Sequence, residues 1–446
     1  MTKRVLVVGF ARSGAAVARL LVKEGAAVTV SDPKLNLDDS KVQALQALGV
    51  TFTQAQDVDL LADTDMIVKN PGIPYQIPIL QAALAKQLPI YTEVALAQRY
   101  MQGEWIALTG SNGKTTSVEM INAVLQQTAN NDHRVIVAGN IGTPVSEVVE
   151  QVRATDTLVT ELSSFQLMGM PTAKPHIAVI TNIFASHLDY HGSRENYIKA
   201  KMGITRNQTK KDYLVLNVDR AEWVALGEQT KAQVIPFSRL GLDHSGAYQA
   251  NGKLYFADEY IMDAKDLAVP GQHNIENALV AIAVGKLSKV KSERIASALK
   301  AFTGVEHRLQ LVGDIAGRTV YNDSKATDIE ATEMALSGFK KPVVLLAGGL
   351  DRGDDQMRLL AAVKEHVKAL VVFGQTADKL VAMAKTLDLP VIKTKDVVTA
   401  VEPAFTLAQP GEIILLSPAA ASWDQYPNFE TRGNLFMDAV HNYKDN

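Results

Sequence analysis

The chain has 446 residues, too many for one ordinary domain, and its length fits two to four domains that each bury a core. With 47% hydrophobic and 21% charged residues it has the make-up of a globular protein, and a net charge of -3 leaves no broad basic field for nucleic acid or an anionic membrane. The absence of cysteine excludes disulfides, thiolate–zinc sites and cysteine nucleophiles, and fits a reducing compartment.

The first residues, MTKRVLVVGF, run straight into a strand-like pattern and lack the apolar stretch and small-residue cleavage site of a secretory signal. No apolar run is long enough to span a bilayer. The expectation is a cytoplasmic, monomeric enzyme that engages neither nucleic acid nor membrane. Residues 4–8 (RVLVV), 27–30 (AVTV) and 66–68 (MIV) read as buried strands, and an Ala/Leu/Val helix ending at Gly25 joins the first two. Strand, helix, strand at this spacing predicts βαβ units and a parallel sheet. The first turn, VLVVGFARSGAAVARLL, is similar to a dinucleotide-binding fingerprint, but Ala11 replaces the second glycine of GxGxxG. That glycine normally allows a pyrophosphate to approach, so the turn argues against an NAD-dependent oxidoreductase while leaving it open.

The same grammar restarts at 105–108 (WIAL) and at 342–346 (PVVLL), which predicts an α/β protein of three domains, 1–98, 99–303 and 304–446. The strand at 105–108 leads into TGSNGKTT, residues 109–116, and a helical pattern follows. This is the architecture of a phosphate loop: backbone N–H groups turn inward around phosphate oxygens and the helix start adds positive potential. Lys114 is placed to contact the outer phosphates, and the Thr115 hydroxyl to hold Mg²⁺. The spacing departs from GxxxxGK[ST], since Leu108 stands at the first glycine position.

TGSNGKTT resembles the ATP loop of the Mur ligases and the folylpolyglutamate synthases, in which that departure is usual. The resemblance implies that Gly110, Ser111, Asn112, Gly113, Lys114, Thr115 and Thr116 bind ATP.

Glu161 ends the strand TLVT and opens ELSSFQL, and a carboxylate beside a phosphate loop commonly serves Mg²⁺. His187, Asp189 and His191 crowd TNIFASHLDYHG, where a zinc hydrolase is the competing reading, without the HExxH helix or a cysteine to support it. The resemblance selects His187 as a ligand of a second Mg²⁺ and leaves His191 a structural role. Lys201 closes NYIKAK and by itself reads as one more lysine on a basic helix face. In the Mur ligases the lysine of the matching Tyr–x–x–Ala–Lys pattern is carbamylated, which implies the same for Lys201. An ordinary lysine has a pKa of about 10.4, so burial or neighbouring cations must lower it before CO₂ can add.

The stretch 238–263 reads as short strands and turns forming a small β insertion. The remaining assignments follow from the resemblance, which extends over the whole chain. A Rossmann-like first domain would bind the UDP part of the substrate through Ser13, Gly14, Asp32, Gly72 of KNPGIP and Asn140 of AGNIG. A central P-loop ATPase-like domain with a parallel sheet would hold ATP, with Asn277 of GQHNIENAL. A Rossmann-like third domain would add Arg308 and Asp323 to the nucleotide site. Its tail, LLSPAAASWDQYPNFETRG, is similar to that of the D-glutamate-adding members. Lys325, Thr327, Arg352, Ser422 and the Phe429 backbone would then receive D-glutamate. The implied reaction joins D-glutamate to UDP-N-acetylmuramoyl-L-alanine with ATP and Mg²⁺, through an acyl phosphate. Lys114, His187 and Lys201 would be the catalytic groups. A folylpolyglutamate synthase-like ligase, or another amino-acid specificity within the family, is the alternative.

Overall fold

A computed structural model describes residues 2–140, 142–184 and 186–443. It contains three sheets, one for each of the α/β segments read from the sequence. By packing, the chain divides into two units. Met1–Ala264 with Glu276–Ala298 carries the first two sheets, and Lys265–Ile275 with Leu299–Asn446 carries the third.

The first sheet has Arg4–Val8 at its centre, with Ala27–Ser31 then Thr51–Thr53 on one side and Met66–Lys69 then Ile90–Tyr91 on the other. All neighbours are parallel. Helices cover both faces, which is why the central strand is an unbroken apolar run. Val5 and Val7 pack with Val17 and Leu21 of the helix Arg12–Lys23, while Leu6 and Val8 pack with Ile79 and Leu80 of Pro78–Ala85. The chain reverses its direction of sheet growth at Arg4–Val8. The turns after Val8 and after Lys69 therefore meet at the carboxyl ends of adjacent strands, where open α/β sheets bind ligands.

The second sheet has nine strands around Glu104–Thr109, which lies between Thr157–Glu161 and Ile177–Ile180, both parallel to it. Tyr213–Asn217 and Gln233–Ser238 continue it in parallel, and Val135–Gly139 closes the far side. The 238–263 stretch is not a separate insertion. Ala247–Ala250 adds to Gln233–Ser238 in parallel, and Lys253–Phe256 and Glu259–Asp263 follow as an antiparallel meander that extends the main sheet. One tight turn, Asn251–Gly252, with both residues at positive φ, allows the first of those reversals.

The third sheet runs Gln310–Ile315, Arg318–Asn322, Ile413–Leu416, Val343–Ala347, Val367–Val372 and Val391–Lys393, with only the first pair antiparallel. Among the described residues no helix is long and apolar enough to cross a membrane.

Candidate active site

The strand Glu104–Thr109 delivers the chain to Gly110–Gly113, and the helix Lys114–Leu125 starts at once. Two glycines make the turn possible. A Cβ on Gly110 would lie 1.8 Å from Thr181 Oγ1, and one on Gly113, at φ +78, would lie 2.5 Å from Asn277 Oδ1. The turn is then tied to the end of the next strand. The Ser111 N–H donates to Asn182 O (2.9 Å), the Asn112 N–H to Asn182 Oδ1 (2.8 Å), and the Thr181 hydroxyl to Asn112 O (2.7 Å). Lys114 Nζ donates to Gly110 O at 3.0 Å and Ser111 O at 2.9 Å, so its ammonium is curled into the turn. Ser117 donates to Asn277 Oδ1 at 3.0 Å, which brings Asn277 to the same helix start. Thr116 is buried one position beyond Thr115.

Glu161 ends its strand directly beside this turn. The Thr115 hydroxyl donates to Glu161 Oε2 and the Asn140 side-chain amide to Glu161 Oε1, both at 3.0 Å. Thr115 and Glu161 are buried, and a hydroxyl and a carboxylate are hard oxygen donors of the kind Mg²⁺ takes. Asn140, expected on the UDP side, is placed against Glu161 by this bond. Among the described residues no three His, Cys, Asp or Glu side chains converge as a ready-made metal site.

Lys201 does not lie on a solvated face. Within the helix Arg194–Met202 its neighbour Lys199 is exposed, while Lys201 is 2% exposed and its Nζ donates to Gly110 O at 2.7 Å. Its ammonium sits 4.7 Å over the Tyr197 ring. Burial first, and then the Lys114 ammonium, hold its pKa well below the ordinary lysine range, with Glu161 opposing. The amine is therefore held toward the neutral form that carbamylation requires.

His187 sits in left-handed backbone (φ +54) at the start of Leu188–His191, with its ring 5.0 Å from that of Phe165 and 6.4 Å from that of Tyr197. Tyr197 in turn shares a 3.0 Å hydrogen bond with Ser111. His191 is buried, stacks on Phe165 and bonds Ser164 Oγ through Nε2 at 3.0 Å, which is a packing role. The Asp189 side chain lies outside the described residues. Asn182, Tyr197 and Phe165 received no role from the sequence. The available signal for the first was its place in TN, just past a strand end, and for the second its membership of the Tyr–x–x–Ala–Lys pattern.

The first turn is built differently. Gly14 presses on the strand end so closely that a Cβ there would meet Gly9 O at 2.2 Å, and Gly9 itself is at φ +96. Asp32 accepts the Phe10 N–H (2.7 Å) and the Lys34 N–H (2.8 Å), clamping two loops rather than standing free. Ser13 lies 3.4 Å from the Asn70 side-chain amide, and the Gly72 N–H donates to Asn70 Oδ1 at 3.2 Å. Ser13, Gly14, Asp32 and Gly72 are therefore gathered at one end of the first sheet. Lys69, missed from the sequence, is buried there, and burial lowers its pKa to about 7.

In the second unit Asp323 follows the strand Arg318–Asn322 and accepts the Ser417 hydroxyl (2.8 Å) and the Leu309 N–H (3.1 Å). Burial pushes its carboxyl up to about 7, against those hydrogen bonds and the nearby Arg308. Arg308 Nε is buried without a hydrogen-bond partner among the described residues. Lys325 Nζ lies 5.5 Å over the Phe429 ring, and Ser324 donates to Phe429 O at 2.8 Å. Ser422 is buried, Thr327 is half-buried, and Arg352 reaches over the exposed Trp423 ring at 4.9 Å. What ties these loops together is Arg432, also missed from the sequence although it sits in FETRG beside Phe429. It is fully buried and donates to Ser324 Oγ (3.0 Å), Ser324 O (2.7 Å) and Ala420 O (3.1 Å).

Models of the Mur ligase MurD-like N-terminal domain, the Mur ligase middle domain and the Mur ligase glutamate ligase domain match residues 3–92, 108–285 and 307–420. The UDP-N-acetylmuramoylalanine--D-glutamate ligase of Limosilactobacillus fermentum is 53% identical, over 98% of this chain and 96% of its own length. The enzyme of the same name from Lactiplantibacillus plantarum is also 53% identical over the same shares. The chain belongs to the Mur ligase family. Its architecture is accordingly the family's three domains. The crystal structure of MurF ligase from Thermotoga maritima in complex with ADP shares the fold at a TM-score of 0.57 and 15% identity, covering 99% of this chain and 95% of that one.

Proposed function

We propose that this chain is the ligase that joins D-glutamate to UDP-N-acetylmuramoyl-L-alanine at the expense of ATP, in cytoplasmic synthesis of the peptidoglycan precursor. The observation that carries the reading is the convergence of Lys114, Thr115, Glu161 and the buried amine of Lys201 on the 109–116 turn, in a chain whose full-length relatives carry that name. The match of residues 3–92 to a MurD-like N-terminal domain supports a UDP-sugar rather than a folate substrate. Domain limits of 1–98, 99–303 and 304–446 and a monomeric state belong to the same reading.

The chemistry starts from a difficulty: a carboxylate must attack a phosphoryl group, anion against anion. The N–H groups at the start of the helix Lys114–Leu125 and the Lys114 ammonium hold the phosphates and neutralise charge that grows during transfer. Thr115 and Glu161 would hold one Mg²⁺, and His187 with carbamylated Lys201 would serve a second; the two supply further charge neutralisation between nucleotide and acid. Asn277 adds a nucleotide contact, and the same reading assigns Arg308 and Asp323 to nucleotide binding. Ser13, Gly14, Asp32, Gly72 and Asn140 bind and orient the UDP-sugar. The alanine carboxylate takes the γ-phosphoryl group, giving an acyl phosphate and ADP. The D-glutamate amine, held with its carboxylates against Lys325, Thr327, Arg352, Ser422 and the Phe429 backbone, attacks the carbonyl, and phosphate leaves as the amide forms.

The test is ADP release with UDP-N-acetylmuramoyl-L-alanine and a panel of amino acids. Turnover is expected with D-glutamate and not with L-glutamate. Equal use of both, or turnover with a folate in place of the UDP-sugar, overturns the assignment.

A further inference from the structure

The first sheet's sugar-side loop and the loop that carries His187 are joined by a contact that the assigned roles do not use. Lys69 is 1% exposed and has no carboxylate partner among the described residues. Its Nζ donates to Pro71 O at 2.9 Å and to the Tyr190 hydroxyl at 3.1 Å, and lies 4.7 Å over the Tyr75 ring. The Tyr190 hydroxyl, having accepted from Lys69, has its one proton within reach of Ile73 O (3.0 Å) and Pro71 O (3.2 Å). Both carbonyls flank Gly72. On its other side the Tyr190 ring meets Phe165 edge-on at 4.5 Å, and Phe165 touches the His187 ring at 5.0 Å.

A buried lysine without an anion is costly unless each N–H finds an acceptor, and a loop of carbonyls around Gly72 is held in place only as long as donors meet it. Lys69 and Tyr190 satisfy both needs at once. They also make a continuous path of packed groups from the loop at residues 71–73 to His187.

We infer that Lys69 and Tyr190 are positioning residues that lock the UDP-sugar loop to the His187 loop, so that a seated nucleotide-sugar and a correctly placed His187 require one another. This rests on the ligase reading above. Neither is among the groups assigned above to the phosphates, the metal or the amino acid.

The experiment uses the full chain with Tyr190→Phe, which keeps the ring on Phe165 and removes only the hydroxyl, Lys69→Met, and the double variant. ADP release is measured as KM for UDP-N-acetylmuramoyl-L-alanine and KM for ATP. Each single variant is expected to raise the UDP-sugar KM about fivefold, the worth of one ordinary hydrogen bond, and to leave the ATP KM within about twofold. The double variant is expected to be no worse than the weaker single one, because the two groups act as a unit. Unchanged UDP-sugar KM, an equal rise in both KM values, or effects that multiply independently each overturn the lock. A wild-type chain that releases no ADP with this UDP-sugar overturns the ligase reading itself, and the lock with it. An active wild type with unaffected variants removes the lock alone.

Discussion

The chain builds the same strand–turn–helix corner twice, at Val8–Gly14 and at Thr109–Lys114, and fills the two in opposite ways. In the second, side chains crowd inward: Lys114 curls under the turn, Thr115 and Glu161 pair beside it, and Lys201 reaches in from a helix far along the chain. In the first, the interior is closed by backbone, with Gly14 against Gly9 O and Asp32 clamping the Phe10 N–H. The difference teaches that the corner alone specifies only where an anion can rest. Whether chemistry happens there depends on which charged groups distant segments deliver.

The sharpest way to break this contrast is Lys114→Ala. ADP release dependent on D-glutamate is expected to fall by roughly 10³-fold or more, as for loss of a group that stabilises the transferring charge, while the melting temperature stays near wild type. Retained turnover would remove the distinction between the two corners. Lys201→Ala is expected to lose about 10²-fold in kcat and to regain part of it with added short-chain carboxylic acids, read in the same assay. Loss without rescue in any acid would assign Lys201 to packing. Gly14→Ala tests the other corner: its methyl has to push against Gly9 O, and denaturant unfolding should show about 1–3 kcal/mol of destabilisation. A neutral result would mean that the close packing is dispensable. The smallest effect expected is for Asp32→Asn, about fivefold in the UDP-sugar KM with the ATP KM unchanged, since one acceptor oxygen remains for the clamp. An equal shift in both constants would locate Asp32's influence outside the first corner.

Much of this was legible in the sequence where local pattern and chemistry coincide. Buried parallel strands announce themselves as apolar runs, and RVLVV, WIAL and PVVLL each gave interior strands. TGSNGKTT named its own turn. What sequence left ambiguous was settled by partners far away. Lys201 is one of two lysines in NYIKAK, and only the helix's packing decides which faces Gly110 O. The short strands after Ser238 looked like an insertion because their pairing partner, Gln233–Ser238, cannot be read from their own composition. Arg432 and Lys69 escaped notice for the same reason: a basic residue reads as surface until the carbonyls that hold it are known.

The meander that lengthens the second sheet ends in Glu259–Asp263, a strand with one side lacking a neighbouring strand among the described residues. Such a rim invites other chains to add to it. Here its first residue is an acid paired to Lys286 and bonded to Ser292, and its last is another acid. The rim thus carries an acid at each end, a feature that disfavours strand addition at sheet edges in general.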